Sequence, residues 1–138
     1  MAHGAIYLET LQPDIAALGD GVIFTSASGG ADAKYEFTVG ETPVILNVMP
    51  SDQIPGHLRG FCGYVQQLRD PEPQRQDAIE RISRIRHVLG LVTEPEFDQV
   101  PVLWSRLCEL TRINGGLVFT FNSIYLSDGT VLVGPMRD

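Results

Sequence analysis

Two apolar runs held apart by an amphipathic segment constrain this chain more than any other feature. Residues 87–93 carry Val88, Leu89, Leu91 and Val92, and residues 117–121 carry Leu117, Val118, Phe119 and Phe121. Between them Val100, Leu103, Trp104, Leu107, Cys108 and Leu110 recur at the three- and four-residue spacing of a helix that buries one face. The turn Glu94-Pro95-Glu96-Phe97 precedes that helix, with Asp98 as its expected cap and Pro101 in its first turn, and Asn114-Gly115-Gly116 ends it. The pattern predicts strand, helix, strand: one β-α-β crossover over about residues 87–121, right-handed as such connections are. Residues 86–93 admit a second description, as the tail of the preceding helix with Gly90 as its C-cap. The strand is preferred because Val88, Leu89, Leu91 and Val92 read as the middle of a sheet.

The remaining elements are mostly antiparallel in character. In residues 34–39, Tyr35, Phe37 and Val39 share one face while Lys34, Glu36 and Thr38 share the other, the alternation of a half-buried strand. Gly40 to Pro43 turns the chain into residues 44–49, which are apolar on both faces and belong nearer the sheet centre. A second hairpin is signalled by Ser127-Asp128-Gly129 between residues 124–126 and 130–133. Residues 5–10 and 21–25 read as further strands, residues 13–18 as a helical turn ended by Gly19, and residues 26–32 as a loop. Helices are expected over 56–69, 73–84 and 98–113, most of them on one face of the sheet. The fold class is therefore α+β, a mixed, mainly antiparallel sheet with one crossover, in a single domain over residues 1–138.

Composition narrows the function classes. A net charge of −7 with a pI near 4.8 opposes binding to nucleic acid or an anionic membrane and leaves room for a basic partner. Residues 1–4 lack the charged and apolar regions of a signal peptide, and no run reaches the ~18 apolar residues of a membrane span. Cys62 and Cys108 form neither a disulfide framework nor a zinc pattern. The expectation is a reduced, cytoplasmic protein without cofactor or metal. The cluster Arg75, Arg81, Arg84 and Arg86 reads as a solvated face, with Asp77–Arg81 and Glu80–Arg84 at ion-pairing spacing, and an anion or acidic-partner site is the alternative.

Catalytic candidates are sparse. His57 and Cys62, five residues apart, point about 140° apart around a helix and form no dyad. Cys62 lies on the apolar stripe Leu58, Phe61, Cys62, Val65, Leu68, where a thiol acts as a small hydrophobe. No catalytic residue is assigned. Glu94, Glu96, Asp98, Asn122 and Ser123 form the one polar constellation. If the two apolar runs are neighbouring parallel strands, these residues collect at their C-terminal ends, the usual ligand edge of such sheets. Gly56, Gly60 and Gly63 mark the other side of the first helix, where glycine costs roughly 1 kcal/mol each relative to alanine. That expense points to close backbone approach, by the sheet, a neighbouring helix, a ligand or a second subunit.

Residues 86–133 resemble a group of uncharacterised bacterial proteins. The resemblance is carried by Val88-Leu89-Gly90-Leu91-Val92-Thr93-Glu94-Pro95, Asp98, Gly115-Gly116-Leu117-Val118-Phe119 and Asp128-Gly129-Thr130-Val131-Leu132. It covers about the last third of the chain, supports the strand description of residues 87–93 and implies no activity. The functional expectation is a non-catalytic binding or assembly module that contacts itself as a homodimer or another protein. A small-ligand domain or enzyme built around Glu94, Asp98 and Asn122 is the alternative, and an acidic inhibitor of a basic partner is a third.

Overall fold

The structure, a computed structural model, describes residues 2–25 and 33–135, apart from the side chain of Asp98. The expected loop at residues 26–32 lies outside the described residues. In chain order the elements are β1 (Ala2–Leu8), β2 (Ile23–Thr25), β3 (Lys34–Val39), β4 (Thr42–Val48), α1 (Ile54–Gln66), α2 (Glu72–Ser83), β5 (His87–Thr93), α3 (Pro101–Asn114), β6 (Gly116–Phe119), β7 (Ile124–Tyr125) and β8 (Val131–Val133). A single turn of 3-10 helix, Ala16–Leu18, links β1 to β2 and ends at Gly19. The strands form one eight-stranded sheet in the order β2-β3-β4-β5-β1-β6-β7-β8, and every pairing is antiparallel. The fold class is α+β.

The strand description of residues 87–93 holds, and β5 and β6 run in the same direction, joined by α3. They are not neighbours. β1 lies between them, pairing Ile6 with Leu89 on one side and with Val118 on the other. The crossover therefore straddles one strand. The physical reason is the composition of β1, which is buried on both alternations: Ala2, Ile6 and Leu8 face one layer, Ala5 and Tyr7 the other. A strand apolar on both faces belongs inside a sheet with both faces covered.

Each face carries a helical layer. Leu103, Leu107 and Leu110 of α3 are fully buried against Ile6, Leu46, Leu89, Leu91 and Val118. On the opposite face Phe61 and Val65 of α1, with Ala78 and Ile82 of α2, pack on Tyr7, Val88, Leu117 and Ile124. Two of the three helices thus share a face and the third takes the other. The buried stripes are those the spacing indicates, but some termini shift: α1 starts at Ile54, and α3 starts at Pro101. Asp98 sits in a separate 3-10 turn, Phe97–Gln99, so the N-cap of α3 is Val100 and no side chain caps it. Gly115 ends α3 at φ 72°, a left-handed conformation suited to glycine.

Ile6, with no exposed surface, joins β5, β6 and the α3 layer. Ile6→Ala should lower unfolding free energy by about 2–5 kcal/mol, measured by urea denaturation.

Candidate functional site

The α1–α2 layer covers β1, β6, β7 and β8 but stops short of the half-sheet formed by β3 and β4. A cavity of about 350 Å³ opens where that cover ends. One cross-strand row explains its depth. Asn47 of β4 pairs with Gly90 of β5, Gly90 with Ala5 of β1, and Ala5 with Phe119 of β6. Partners in register point to the same face, so the two smallest side chains sit at the centre of the row and leave a hollow. A β-carbon on Gly90 would meet only the carbonyl oxygen and Cβ of Asn47, at 3.8 and 3.9 Å, and would otherwise enter the cavity.

Aromatic rings wall the hollow. Phe61 packs on Tyr7 with centroids 5.0 Å apart and on Phe119 at 5.0 Å, and Phe119 packs on Phe121 at 4.8 Å. Tyr7 is 2% exposed and its hydroxyl lies 2.9 Å from Nε2 of His57, in the first turns of α1. When His57 carries its proton on Nδ1, the phenol donates to Nε2. When the proton is on Nε2, the imidazole donates to the phenol oxygen and the Tyr7 hydroxyl is free to donate into the cavity. Burial pushes the Tyr7 phenol above its usual range and the His57 imidazole below its ordinary 6.5, so both groups are neutral near pH 7. Asn47 and Gln53 supply the remaining polar side chains of the lining.

The cavity mouth holds the one described non-glycine residue with positive φ. Thr120 and Ser123 close a two-residue turn between β6 and β7, with the Thr120 N–H donating to the Ser123 carbonyl at 3.1 Å. Phe121 takes the first central position at φ 65°, which glycine normally occupies in such turns. An aromatic residue held there costs of order 1–3 kcal/mol. Its ring, 60% exposed, borders the cavity.

The residues singled out from sequence lie elsewhere. Glu94 and Glu96 are exposed in the turn after β5, and nothing is described of the Asp98 side chain. Asn122 is exposed, while Ser123 is buried and its N–H is bonded to Thr120 Oγ1 at 3.1 Å. Because β1 intervenes, β5 and β6 are two strand spacings apart, roughly 9–10 Å. No side-chain hydrogen bond joins Glu94 or Glu96 to Asn122 among the described residues. Nor, among these, are three or more His, Cys, Asp or Glu residues grouped to hold a metal ion. Gly56, Gly60 and Gly63 are exposed on α1, and a β-carbon at Gly60 or Gly63 would meet nothing within 4 Å. Neither the sheet nor a neighbouring helix within the chain approaches them. The sequence places His57 on the first helix, but its spacing does not connect that ring to Tyr7, fifty residues away. The available signal was Gly90, an isolated glycine inside an apolar strand. Compared with protein-family models, curated proteins and solved structures, the chain matches none.

Burial also lowers the pKa of His87. The unfolded chain takes up protons near pH 6.5 that these two folded-state imidazoles refuse until lower pH, so their contribution favours unfolding as pH falls below 6.5. Urea midpoints measured across that range should decline on acidification. His57→Gln should reduce the decline, leaving the share due to His87. A curve for the variant superimposed on wild type would show that His57 titrates as a free imidazole.

Proposed function

We propose that this protein is a non-catalytic binding module whose ligand is a small, uncharged, ring-bearing molecule held in the cavity between α1 and the sheet. The reading rests on one observation above all: the centre of the Asn47–Gly90–Ala5–Phe119 row is built from the two smallest side chains, and the hollow they leave is ringed by aromatics. Its volume falls in the lower part of the range of about 300–1,000 Å³ usual for small-molecule sites. Rings of the Phe61, Phe119 and Phe121 type favour stacked or edge-on aromatic guests. The Tyr7–His57 pair offers one donor and one acceptor with no net charge, a match for a neutral polar group on an otherwise apolar ligand. Binding rather than turnover is favoured because the lining includes no carboxylate, thiol or cationic group to accompany that pair.

Indole, a neutral bicyclic ring with one N–H, is a suitable first probe, followed by ligand-observed NMR. Gly90→Val should weaken its binding by roughly ten-fold or more by filling the floor. The variant should be at least as stable as wild type, because valine suits a strand and the new β-carbon meets no clash. Undiminished binding by a folded Gly90→Val protein would remove this reading. Phe121→Gly should act with opposite signs on the two properties. Relief of the positive φ should raise stability by about 1 kcal/mol, while loss of the ring at the mouth weakens indole binding.

A further inference from the structure

A second, larger cavity of about 690 Å³ lies along the other flank of α1, bounded by the α2–β5 junction and the segment after β1. Residues 54, 58, 62 and 66 line it at four-residue intervals, so it follows α1 over twelve residues, roughly 18 Å. Its walls are mainly apolar: Leu11, Ile54, Pro55, Leu58 and Ile85 contribute, Leu11 stands 65% exposed at the edge, and Ser51, Gln66 and Ser83 add neutral polar groups. Two charged side chains complete it, Arg59 from α1 and Arg86 from the junction before β5, and no Asp or Glu is among its lining residues. Among the described residues neither arginine has an ion-pair partner. In a chain of net charge −7, two unpaired guanidiniums on one elongated apolar groove stand out against the prevailing field. Guanidinium is the group best matched to a planar carboxylate, which it can grip with two parallel N–H bonds.

We propose that this groove is a binding site for an amphiphilic carboxylate, an acyl-chain or similarly elongated acid. The tail lies along α1 over Leu58 and Cys62, and the head group meets Arg59 and Arg86. The site is separate from the aromatic cavity, which shares none of these residues. Charge complementarity selects the acid over the corresponding alcohol or amine, and the volume selects a small molecule over a folded partner.

The two cysteines provide a built-in readout. Cys62 lines the groove on α1, whereas Cys108 is on α3, across the sheet. Burial raises the pKa of both thiols, so both alkylate slowly and at rates that can be compared within one sample. The full-length protein is treated with iodoacetamide in the presence of decanoate below its micelle concentration, and each cysteine is followed by mass spectrometry. Decanoate should slow alkylation of Cys62 and leave Cys108 unchanged. In calorimetry, Arg59→Gln/Arg86→Gln should lose roughly ten-fold or more in decanoate affinity and retain whatever affinity wild type has for decanol. Both arginines are exposed, so the double variant should fold as wild type does. The proposal is overturned by unchanged Cys62 alkylation, by equal slowing at both cysteines, or by equal decanoate affinity in the folded double variant.

Discussion

The double pairing of β1 is the constraint on which the rest of this structure depends. Seven residues, Ala2 to Leu8, pair with β5 on one edge, and four of them, Ala5 to Leu8, pair with β6 on the other. Their side chains alternate between the α3 layer and the α1–α2 layer. The two cores therefore meet across β1 and the two strands that flank it, β5 and β6, which also send side chains to both layers. Gly4 shows how closely this region is packed. A β-carbon there would lie 2.7 Å from the carbonyl oxygen of Phe119 and 2.5 Å from Cζ of Phe97. Bringing residues 2–8 between strands that begin about eighty and a hundred and ten residues later demands long-range loop closure, a cost repaid only when both edges and both faces are satisfied together.

Much of this was legible in the sequence because it is local. The 3.6-residue spacing of Leu103, Leu107 and Leu110, the alternation of Tyr35, Phe37 and Val39, and the Asp128-Gly129 turn each specify an element without reference to the rest of the chain. The position of β1 was not legible. Its first residues, Ala2, His3 and Gly4, carry little strand signal, and the apolar alternation of Ile6, Tyr7 and Leu8 does not say which strands will flank it. Strand order is decided by which edges can be covered. A reading that paired β5 directly with β6 also brought Glu94 and Asn122 together, so one topological error carried over into the candidate site. Asp98 illustrates a smaller version. A carboxylate just before an amphipathic run is a good cap on propensity, but the chain inserts a 3-10 turn that buries Phe97 under β1, and the α-helix begins three residues later.

The aromatic cavity follows from the same architecture. Two helices on one face cannot cover eight strands, and the uncovered margin falls near β5. Most proteins would close such a margin with a large side chain on the exposed row. Here the row has Gly90 and Ala5, and Phe121 adopts a conformation that glycine would hold at no cost. Each choice forgoes packing or adds strain, and each enlarges or shapes the same hollow. Local departures from the stable choice that converge on one place are the kind of observation from which a site is proposed.

The arginines sort by the same kind of reasoning. Read along the chain, Arg75, Arg81, Arg84 and Arg86 form one basic patch on one helix and its tail. In space they separate. Arg75 donates to the carbonyls of Asp70 and Gln66, at 2.9 and 2.8 Å, and so ties the start of α2 to the end of α1. Arg81 is held by Asp77, and Arg84 lies between Glu80 and Glu9. These three have structural occupations that account for their charge. Arg86 has none among the described residues, and the turn out of α2 carries it to the groove where Arg59 arrives from a different helix. Three of the four have hydrogen-bond or ion-pair partners, and the fourth lines the same groove as Arg59, a second arginine without an ion-pair partner among the described residues, beside apolar side chains.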